Sequence, residues 1–362
     1  MVEWRKLGDI CEVGTGSNNR EDACENGQYP FFVRSKEVLR INNYLFDEEA
    51  ILIPGEGGIG EIFHYVKGKY GLHQRTYRVH PNSDTIIGKY IFYYLYDNFG
   101  PYINRKSYKA TATSIRKPML LDFPIAIPPF PEQKRIVGIL DTFTASIDNL
   151  KQQIEQRQKQ YKHYRDQLLN LEGKEGVEMK TLGEFCGIFD GTHQTPKYTE
   201  SGIQFVSVEN ISDIYASNKY ISLEDYNQNY KTKPQKGDVL MTRIGDVGRC
   251  AIVDKDTPIA FYVSLSLLRP NSLLLNKYIK YVLESRIGQK ELRKRTLITA
   301  VPLKINLGEI GKVKIPYITI QEQSSIIAIL DKFEDSISNL EQQLEQRQKQ
   351  YEYYRNKLLT FE

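Results

Sequence analysis

The segment Gly55-Glu56-Gly57-Gly58-Ile59-Gly60 has the GxGxxG spacing that can bind the pyrophosphate of a dinucleotide. Such a site also needs a helix that begins at the glycines, so that its N-terminus faces the phosphates. The residues that follow, 61–66, are β-like and lead into Lys67-Gly68-Lys69. We therefore expect a hairpin turn here rather than a cofactor site.

The other catalytic motifs are incomplete. Ile127-Pro128-Pro129-Phe130 is similar to the (Asn/Asp)-Pro-Pro-(Tyr/Phe) motif of amino-methyltransferases, but Ile stands where a polar residue must accept from the target amine. The sequence contains neither GxxxxGK(S/T) nor HExxH. The five histidines, at 64, 73, 80, 163 and 193, lack the spacing of metal ligands. We predict no catalytic residue and no metal site in this chain.

Basic residues cluster at equivalent places in the two halves of the chain. Between Asp97 and Asp122 the sequence has five Lys and Arg residues and no acid, and a second cluster occupies residues 293–304. Clusters repeated in a chain of balanced charge favour a polyanion-binding surface in each half. The alternative is a solvated face, which is what most runs of charge form.

Two polar loops contain side chains that could hydrogen-bond base edges, at residues 72–75 and 190–196. Either loop could equally be an ordinary turn. With the basic clusters, they supply the predicted DNA-binding residues Gln74, Arg75, Arg105, Lys106, Lys109, Arg116, Lys117, Thr192, His193, Gln194, Arg293, Lys294, Arg295 and Lys304. Arg243 is predicted to bind DNA with them.

The element that must position these residues occurs twice. The heptapeptide EQRQKQY stands at residues 155–161 and again at 345–351, and the similarity extends outward on both sides. Apolar residues in each copy alternate in steps of four and three, a heptad seam interrupted only at Arg157 and Arg347. The predicted helix-pairing residues are Ile136, Leu140, Phe143, Ile147, Leu150, Ile154, Tyr161, Tyr164 and Leu168 in the first copy, and Ile326, Leu330, Phe333, Ile337, Leu340, Leu344, Tyr351, Tyr354 and Leu358 in the second.

The pattern predicts two helices, each roughly 55 Å long, that pair as an antiparallel coiled coil. The alternative is two separate surface helices. An antiparallel pair would hold the two halves of the chain apart, at a distance that the helix length sets.

A globular segment precedes each helix, and the two segments correspond more loosely. Each mixes short β-like runs with glycine turns and one helical stretch, at residues 87–97 and 276–284, which predicts an α+β fold. Proline-containing extended segments precede the helices, and Glu172-Gly173-Lys174-Glu175-Gly176 is the expected linker. We expect recognition domains at residues 1–130 and 173–320, with helices at 131–172 and 321–362.

Composition sets broader limits. The chain has 362 residues, a formal net charge of +4 and four cysteines without a CxxC pair. This pattern suits a reducing compartment and argues against a disulfide framework. The sequence has neither a signal-peptide pattern at its start nor a run of roughly 20 apolar residues. We expect a soluble, cytoplasmic protein.

Two divergent units, each followed by a near-identical helix, resemble the DNA-specificity (S) subunit of type I restriction–modification systems. The resemblance covers the whole chain. It is carried by Pro-Pro-Phe-Pro-Glu-Gln at 128–133, its degenerate counterpart at 320–323, Ile-Leu-Asp at 139–141 and 329–331, and Gly191-Thr192-His193 with Thr195-Pro196. The first unit departs from the family at residues 14–18.

The resemblance implies two target-recognition domains that each read half of a split sequence in double-stranded DNA, and helices that dock two methyltransferase (M) subunits. It implies no cofactor in this chain, since S-adenosylmethionine, ATP and Mg would act in the partner subunits. Whether restriction (R) subunits join stays open. Two alternatives from other classes are a methyltransferase-fused reader enzyme and a coiled-coil adaptor without a DNA role.

Overall fold

A computed structural model describes residues 2–58, 60–106 and 114–361, without the side chain of Lys106. The chain divides into two compact units. Unit 1 consists of Met1–Lys151 with Gln342–Glu362, and unit 2 consists of Gln152–Glu341. Each unit therefore contains one globular segment and part of both long helices.

Unit 1 is built on a six-stranded sheet whose strand order is β2-β7-β5-β6-β3-β4. A separate pair, β1 with β8, joins the start of the chain to the segment before the long helix. The strands are β1 Glu3–Lys6, β2 Cys11–Thr15, β3 Tyr29–Phe32, β4 Val38–Ile41, β5 Phe46–Pro54, β6 His64–Leu72, β7 Thr76–Pro81 and β8 Pro124–Ile127. The helices are α1 Leu7–Ile10, α2 Gly88–Lys106, α3 Lys117–Leu121 and the long α4 Phe130–Leu169.

The glycine-rich segment joins two antiparallel strands, as the sequence predicts. Strands β5 and β6 pair from Phe46–Tyr70 to Leu52–His64, and the chain turns between them. Gly57 and Gly58 have φ values of +72° and +67°, a region that glycine enters without a steric penalty. The element after the turn is a strand, so the helix that a dinucleotide site needs is not formed here.

Unit 2 repeats this arrangement with shorter strands. Its sheets have the orders β10-β17-β14-β15 and β11-β13-β12-β16, with the small pairs β20-β9 and β18-β19. The strands are β9 Glu178–Thr181, β10 Cys186–Asp190, β11 Tyr198–Thr199, β12 Ile203–Val206, β13 Tyr220–Ile221, β14 Val239–Thr242, β15 Cys250–Ile252, β16 Ile259–Phe261, β17 Leu265–Pro270, β18 Thr296–Leu297, β19 Lys304–Ile305 and β20 Lys314–Tyr317. The helices are α5 Leu223–Asn229, α6 Asn276–Glu284, α7 Arg286–Arg295, α8 Leu307–Ile310 and the long α9 Ile320–Leu359.

One apolar run of the sequence forms two strands. Residues 260–268 read as a single apolar run, but the structure divides them between β16 and β17. Leu265 N donates to Tyr262 O at 2.9 Å, which closes a turn between the strands. Strand β16 then pairs in parallel with β12, while β17 pairs antiparallel with β10 and β14.

The long helices pack into the globular cores at their ends. In unit 1, Ile136 and Leu140 of α4 and Leu359 of α9 are buried in the core formed with α2 and the sheet. In unit 2, Leu330 of α9 and Leu169 of α4 take the equivalent positions. The predicted seam residues Leu168 and Leu358 are only partly buried, because the adjacent leucines make the principal core contacts.

Each unit contains an antiparallel contact between the helices. In unit 1 the ring of Phe143 on α4 stacks on Tyr354 of α9, with centroids 5.3 Å apart. In unit 2 the ring of Phe333 on α9 stacks in the same way on Tyr164 of α4, at 5.4 Å. In each pair the start of one helix meets the end of the other, so the predicted antiparallel pairing is confirmed.

The arginines that interrupt the heptad seam take part in this pairing. The guanidinium of Arg347 lies 5.7 Å from the Phe143 ring, and that of Arg157 lies 5.9 Å from the Phe333 ring. A guanidinium at this distance is attracted by the negative face of the ring. The seam therefore continues through the arginines instead of being broken by them.

The four cysteines, Cys11, Cys24, Cys186 and Cys250, are free thiols, and burial raises the pKa of Cys11 and Cys186 to about 12. Among the helices in the described residues, none has the length and apolarity to cross a membrane.

Candidate nucleic-acid interface

The same backbone arrangement gathers polar loops in both units. In unit 1, Asn18 N donates to Leu72 O and Gln74 N donates to Asn18 O, which ties the loop after β2 to the turn before β7. In unit 2, Thr192 N donates to Phe261 O and Val263 N donates to Thr192 O. We call residues 16–20, 33–35, 55–58 and 73–75 loop cluster 1. Residues 190–194, 207–209, 243–248 and 262–264 form loop cluster 2.

Loop cluster 1 contains two arginines that share one carboxylate oxygen. Glu56 Oε2 accepts from Arg34 Nη1 and from Arg75 Nη1, each at 2.9 Å. The hydrogen bond from Arg75, more than any other contact, lowers the pKa of Glu56. Arg20 and His73 line the adjacent pocket, whose volume is 210 Å³. Of the predicted DNA-binding residues, Arg75 is thus held in place by a salt bridge to Glu56.

The neighbouring Gln74 is exposed, and its Nε2 donates to Asn19 Oδ1 at 2.7 Å. This bond holds the side chain across the loop after β2, with the amide oxygen left to accept from a partner. The prediction that the 72–75 loop presents polar groups agrees with this placement, and its contact with DNA stays a prediction.

Loop cluster 2 is organised around Asp190 at the end of β10. Arg243 Nη1 donates to Asp190 Oδ1 at 2.6 Å, and His193 Nε2 donates to Asp190 Oδ2 at 2.8 Å. Thr192 Oγ1 accepts from Gln194 N at 3.2 Å, so the loop turns just where His193 and Gln194 are exposed.

Arg243 differs from the exposed members of the predicted set. The sequence interpretation placed it among the residues that touch DNA, and its side chain is 11% exposed and paired with Asp190. The salt bridge holds Asp190, which also accepts from His193. A contact between Arg243 and DNA stays a prediction.

A basic groove of 740 Å³ lies beside loop cluster 2. The loop Gly245-Asp246-Val247 forms one wall, helix α7 forms the other, and Ile298 and Leu303 complete the lining. Three cations of α7, Arg286, Lys290 and Arg293, line the groove at spacings of four and three residues. Their side chains form no ion pair with the part of the chain that the structure describes.

The other predicted cations of α7 are engaged within the unit. Lys294 pairs with Glu291, and Arg295 lies between Glu291 and Glu309, at 4.0 and 3.4 Å. Lys304 is exposed on β19. The sequence interpretation thus found one groove residue, Arg293, and missed Arg286 and Lys290. Helical spacing after the N-cap Ser285 is the signal that could have found them.

The corresponding cluster of unit 1 is described in part. Arg105 is exposed at the end of α2, and Arg116 and Lys117 are exposed at the start of α3. Lys109 and the side chain of Lys106 lie outside the described residues. Among the residues that the structure describes, no group of three or more His, Cys, Asp or Glu side chains could hold a metal ion.

A buried glutamine attaches each long helix to its globular segment. Gln133 Oε1 accepts from Ile87 N, while its Nε2 donates to Thr85 O and Pro128 O. Gln323 makes the same three bonds in unit 2, with Leu275 N, Leu273 O and Ile318 O. A Tyr–Asp bond of 2.6 Å repeats as well, as Tyr93–Asp141 and Tyr281–Asp331. The Glu-Gln and Ile-Leu-Asp motifs of the sequence supply this attachment.

The chain thus belongs to the class of proteins in which one α+β frame with a long helix is duplicated and carries different loops on each copy. The model of the type I restriction modification DNA specificity domain matches this chain twice, at residues 1–157 and 174–348. The chain belongs to that family, the DNA-specificity subunits of type I restriction–modification systems. It is a non-catalytic specificity subunit with a bipartite DNA target.

Relatives agree with this assignment, and a solved structure shares the fold. The specificity subunit of the Escherichia coli EcoR124I/EcoR124II enzyme is 36% identical over 261 residues, covering 66% of this chain and 63% of its own. A type I specificity-subunit homologue of Haemophilus influenzae is 27% identical over 386 residues, covering 99% and 96%. The crystal structure of the S subunit from M. genitalium matches with a TM-score of 0.67 at 17% identity, covering 100% of this chain and 97% of its own, which shows a common fold.

Proposed function

We propose that loop cluster 1 contacts one half-site of a bipartite target in double-stranded DNA and loop cluster 2 contacts the other. The observation that carries this proposal is the repeated backbone frame, with Asn18 and Thr192 in equivalent positions and different side chains around them. A conserved geometry with altered polar groups suits two readers of different sequence. The recognition domains are then residues 1–130 and 173–320, with helices at 131–172 and 321–362.

The groove of unit 2 contacts the phosphate backbone. Arg286, Lys290 and Arg293 present three positive charges on one wall, and their side chains form no ion pair within the described residues, although Arg286 N donates to Asp166 Oδ1 at 2.9 Å. Phosphate contacts of this kind orient a protein on the duplex, and the loops beside them then read bases. In unit 1, Arg105, Lys106, Lys109, Arg116 and Lys117 have the equivalent role.

The long helices dock two methyltransferase subunits. Residues 155–161 and 345–351 are identical, and even their Glu–Lys pairs recur, Glu155–Lys159 at 2.6 Å and Glu345–Lys349 at 2.5 Å. Two identical surfaces suit two copies of one partner. S-adenosylmethionine would bind in those subunits, and if restriction subunits join the complex, ATP and Mg would act in them. The complex acts on DNA in the cytoplasm.

The groove is tested by removing its charge. Replacing Arg286, Lys290 and Arg293 by Ala, in the complex with the methyltransferase subunits, should weaken duplex binding at every sequence. Each lost phosphate contact lowers the slope of log K against log salt by about 0.9, so three contacts predict a change of about 2.7. The measurement is duplex affinity by fluorescence anisotropy from about 50 to 200 mM salt.

A control variant separates this local effect from net charge. Lys231, Lys236 and Lys255 are exposed residues of unit 2 outside the groove lining, and their replacement by Ala removes the same charge. The control should leave the slope within about 0.5 of the original, which is well below the change expected for three contacts. An equal slope in the groove variant and the control would refute the phosphate assignment.

A further inference from the structure

The glycine turn of unit 1 presents an acid where a DNA-contacting surface should avoid one. Glu56 lies between Gly55 and Gly57, and Gly55 N donates to Arg75 O at 2.9 Å, so the turn is tied to the 73–75 loop. The side chain is 38% exposed. An exposed carboxylate repels phosphates, and it therefore needs a role that offsets this repulsion.

The two hydrogen-bond partners of Glu56 indicate what its role is. Arg34 and Arg75 come from different loops, yet both donate to the same oxygen, Glu56 Oε2. Their side chains are 46% and 57% exposed, so neither guanidinium is buried by the contact. Each guanidinium has five N–H donors, of which the described contact with Glu56 uses one. Glu56 therefore holds two partly exposed donor groups side by side.

This arrangement favours base reading over phosphate binding. A phosphate site gains from positive charge, and Glu56 cancels part of the charge of the two arginines. A guanine site gains from a fixed planar fork, because one arginine can donate to both O6 and N7 of guanine in the major groove. A bridging carboxylate supplies this fixed orientation and reduces the rotamer freedom lost on binding.

The geometry points to Arg34 and Arg75 as a guanine-reading pair that Glu56 positions, so that the half-site read by unit 1 contains at least one G·C pair contacted in the major groove. This inference rests on the proposed function of loop cluster 1. Loop cluster 2 is built differently, since its carboxylate, Asp190, holds one buried arginine and exposes His193. The two half-sites should therefore differ in their dependence on guanine N7.

The test uses the complex of the full chain with its methyltransferase subunits. Sequencing of methylated adenines in host DNA first defines the target, and a duplex of that target is then made with 7-deazaguanine at each guanine in turn. This base lacks N7. At one or more guanines of one half-site, 7-deazaguanine should weaken binding about tenfold, because one hydrogen bond of a bidentate arginine–guanine contact is lost.

The variants connect that loss to the arginines. Arg34→Ala and Arg75→Ala remove the donors to O6 and N7, and Glu56→Gln removes the bridging carboxylate. Each should bind the normal target about tenfold more weakly, and the arginine variant that contacts the sensitive guanine should lose its sensitivity to 7-deazaguanine. Lys67→Ala, an exposed cation in the middle of β6, is the control that should keep full sensitivity.

The possible results distinguish failure of the guanine-reading assignment from failure of the proposed function. If the wild-type complex bound duplexes of all sequences with equal affinity, the proposed function itself would be overturned. A sequence-specific wild-type complex that tolerates 7-deazaguanine at every position, or whose sensitivity survives all three variants, would overturn only the guanine-reading assignment. Because the three variants alter three separate loops, one that fails to fold leaves two that decide the question.

Discussion

Replacing Gln133 by Ala should weaken the attachment of helix α4 to the globular segment of unit 1. Gln133 is 1% exposed, and its amide makes three bonds, at 3.0 Å to Ile87 N, 3.2 Å to Thr85 O and 3.0 Å to Pro128 O. The variant leaves these buried backbone groups without that partner. At about 1 kcal/mol for each lost bond, the local loss is about 3 kcal/mol.

Hydrogen exchange measures this loss locally, which suits a chain of two units better than a single unfolding temperature. A loss of about 3 kcal/mol corresponds to roughly 150-fold faster exchange of the Ile87 amide. Peptides that contain Leu275, whose amide donates to Gln323 in unit 2, should exchange as in the wild type. Gln323→Ala should reverse the pattern.

Gln158→Ala is the matched control, since Gln158 is an exposed glutamine of the same helix. An exposed substitution of this kind should change stability by less than about 0.5 kcal/mol, so exchange at Ile87 should stay within a few-fold. The reasoning is refuted if Ile87 keeps its protection in Gln133→Ala, or if Leu275 opens to the same extent.

Three further predictions concern spacing, modularity and acid stability. Four residues inserted after Gln158 add about 6 Å and slightly more than one helical turn, so the methylated target should keep both half-sites and gain one or two base pairs between them. Two inserted residues rotate the seam by about 200° and should abolish methylation. An unchanged gap in the methylated target of an active four-residue variant would contradict this prediction. Exchanging residues 180–318 for the equivalent unit of a relative should alter one half of the methylated motif by sequencing, and a change in both halves would show that the units are not independent. Burial would raise the pKa of Glu48, but hydrogen bonds from Arg78 and Tyr70 outweigh it and hold the pKa below the ordinary 4.5. The stabilisation is thus present above about pH 4.5 and is lost as the pH falls through the lowered pKa. Glu48→Gln should therefore be less stable than wild type at pH 7 in urea unfolding, and the difference should shrink as the pH falls below about 4.5.

Elements that depend on local sequence were predicted well. Helix α6 has the predicted bounds, Asn276–Glu284, and α4 begins at Phe130, one residue before the predicted start. The hairpin at the glycine turn is confirmed as well. These features follow from periodicity, proline and glycine, whose effects act over a few residues.

The predicted site was less complete, because the availability of a charged side chain depends on its neighbours in the fold. Arg295 and Arg293 look alike in the sequence, but Glu309 pairs with Arg295, whereas the side chain of Arg293 forms no ion pair within the described residues. Arg243 follows an apolar strand and resembles a surface cation, yet Asp190 holds it in the interior. Partners such as these lie 14 and 53 residues away along the chain, beyond the reach of local patterns.

The sequence by itself determined the duplication, the two long helices with their heptad seam, and the α+β character of each unit, since identical segments and apolar spacing are properties of the chain. Only the tertiary structure decided which cations remain accessible. It also showed that Glu56 joins Arg34 to Arg75, and that Gln133 and Gln323 attach the helices. The physical reason is that a hydrogen bond or salt bridge forms over about 3 Å in space, and such distances between remote residues exist only once the strands and helices have packed.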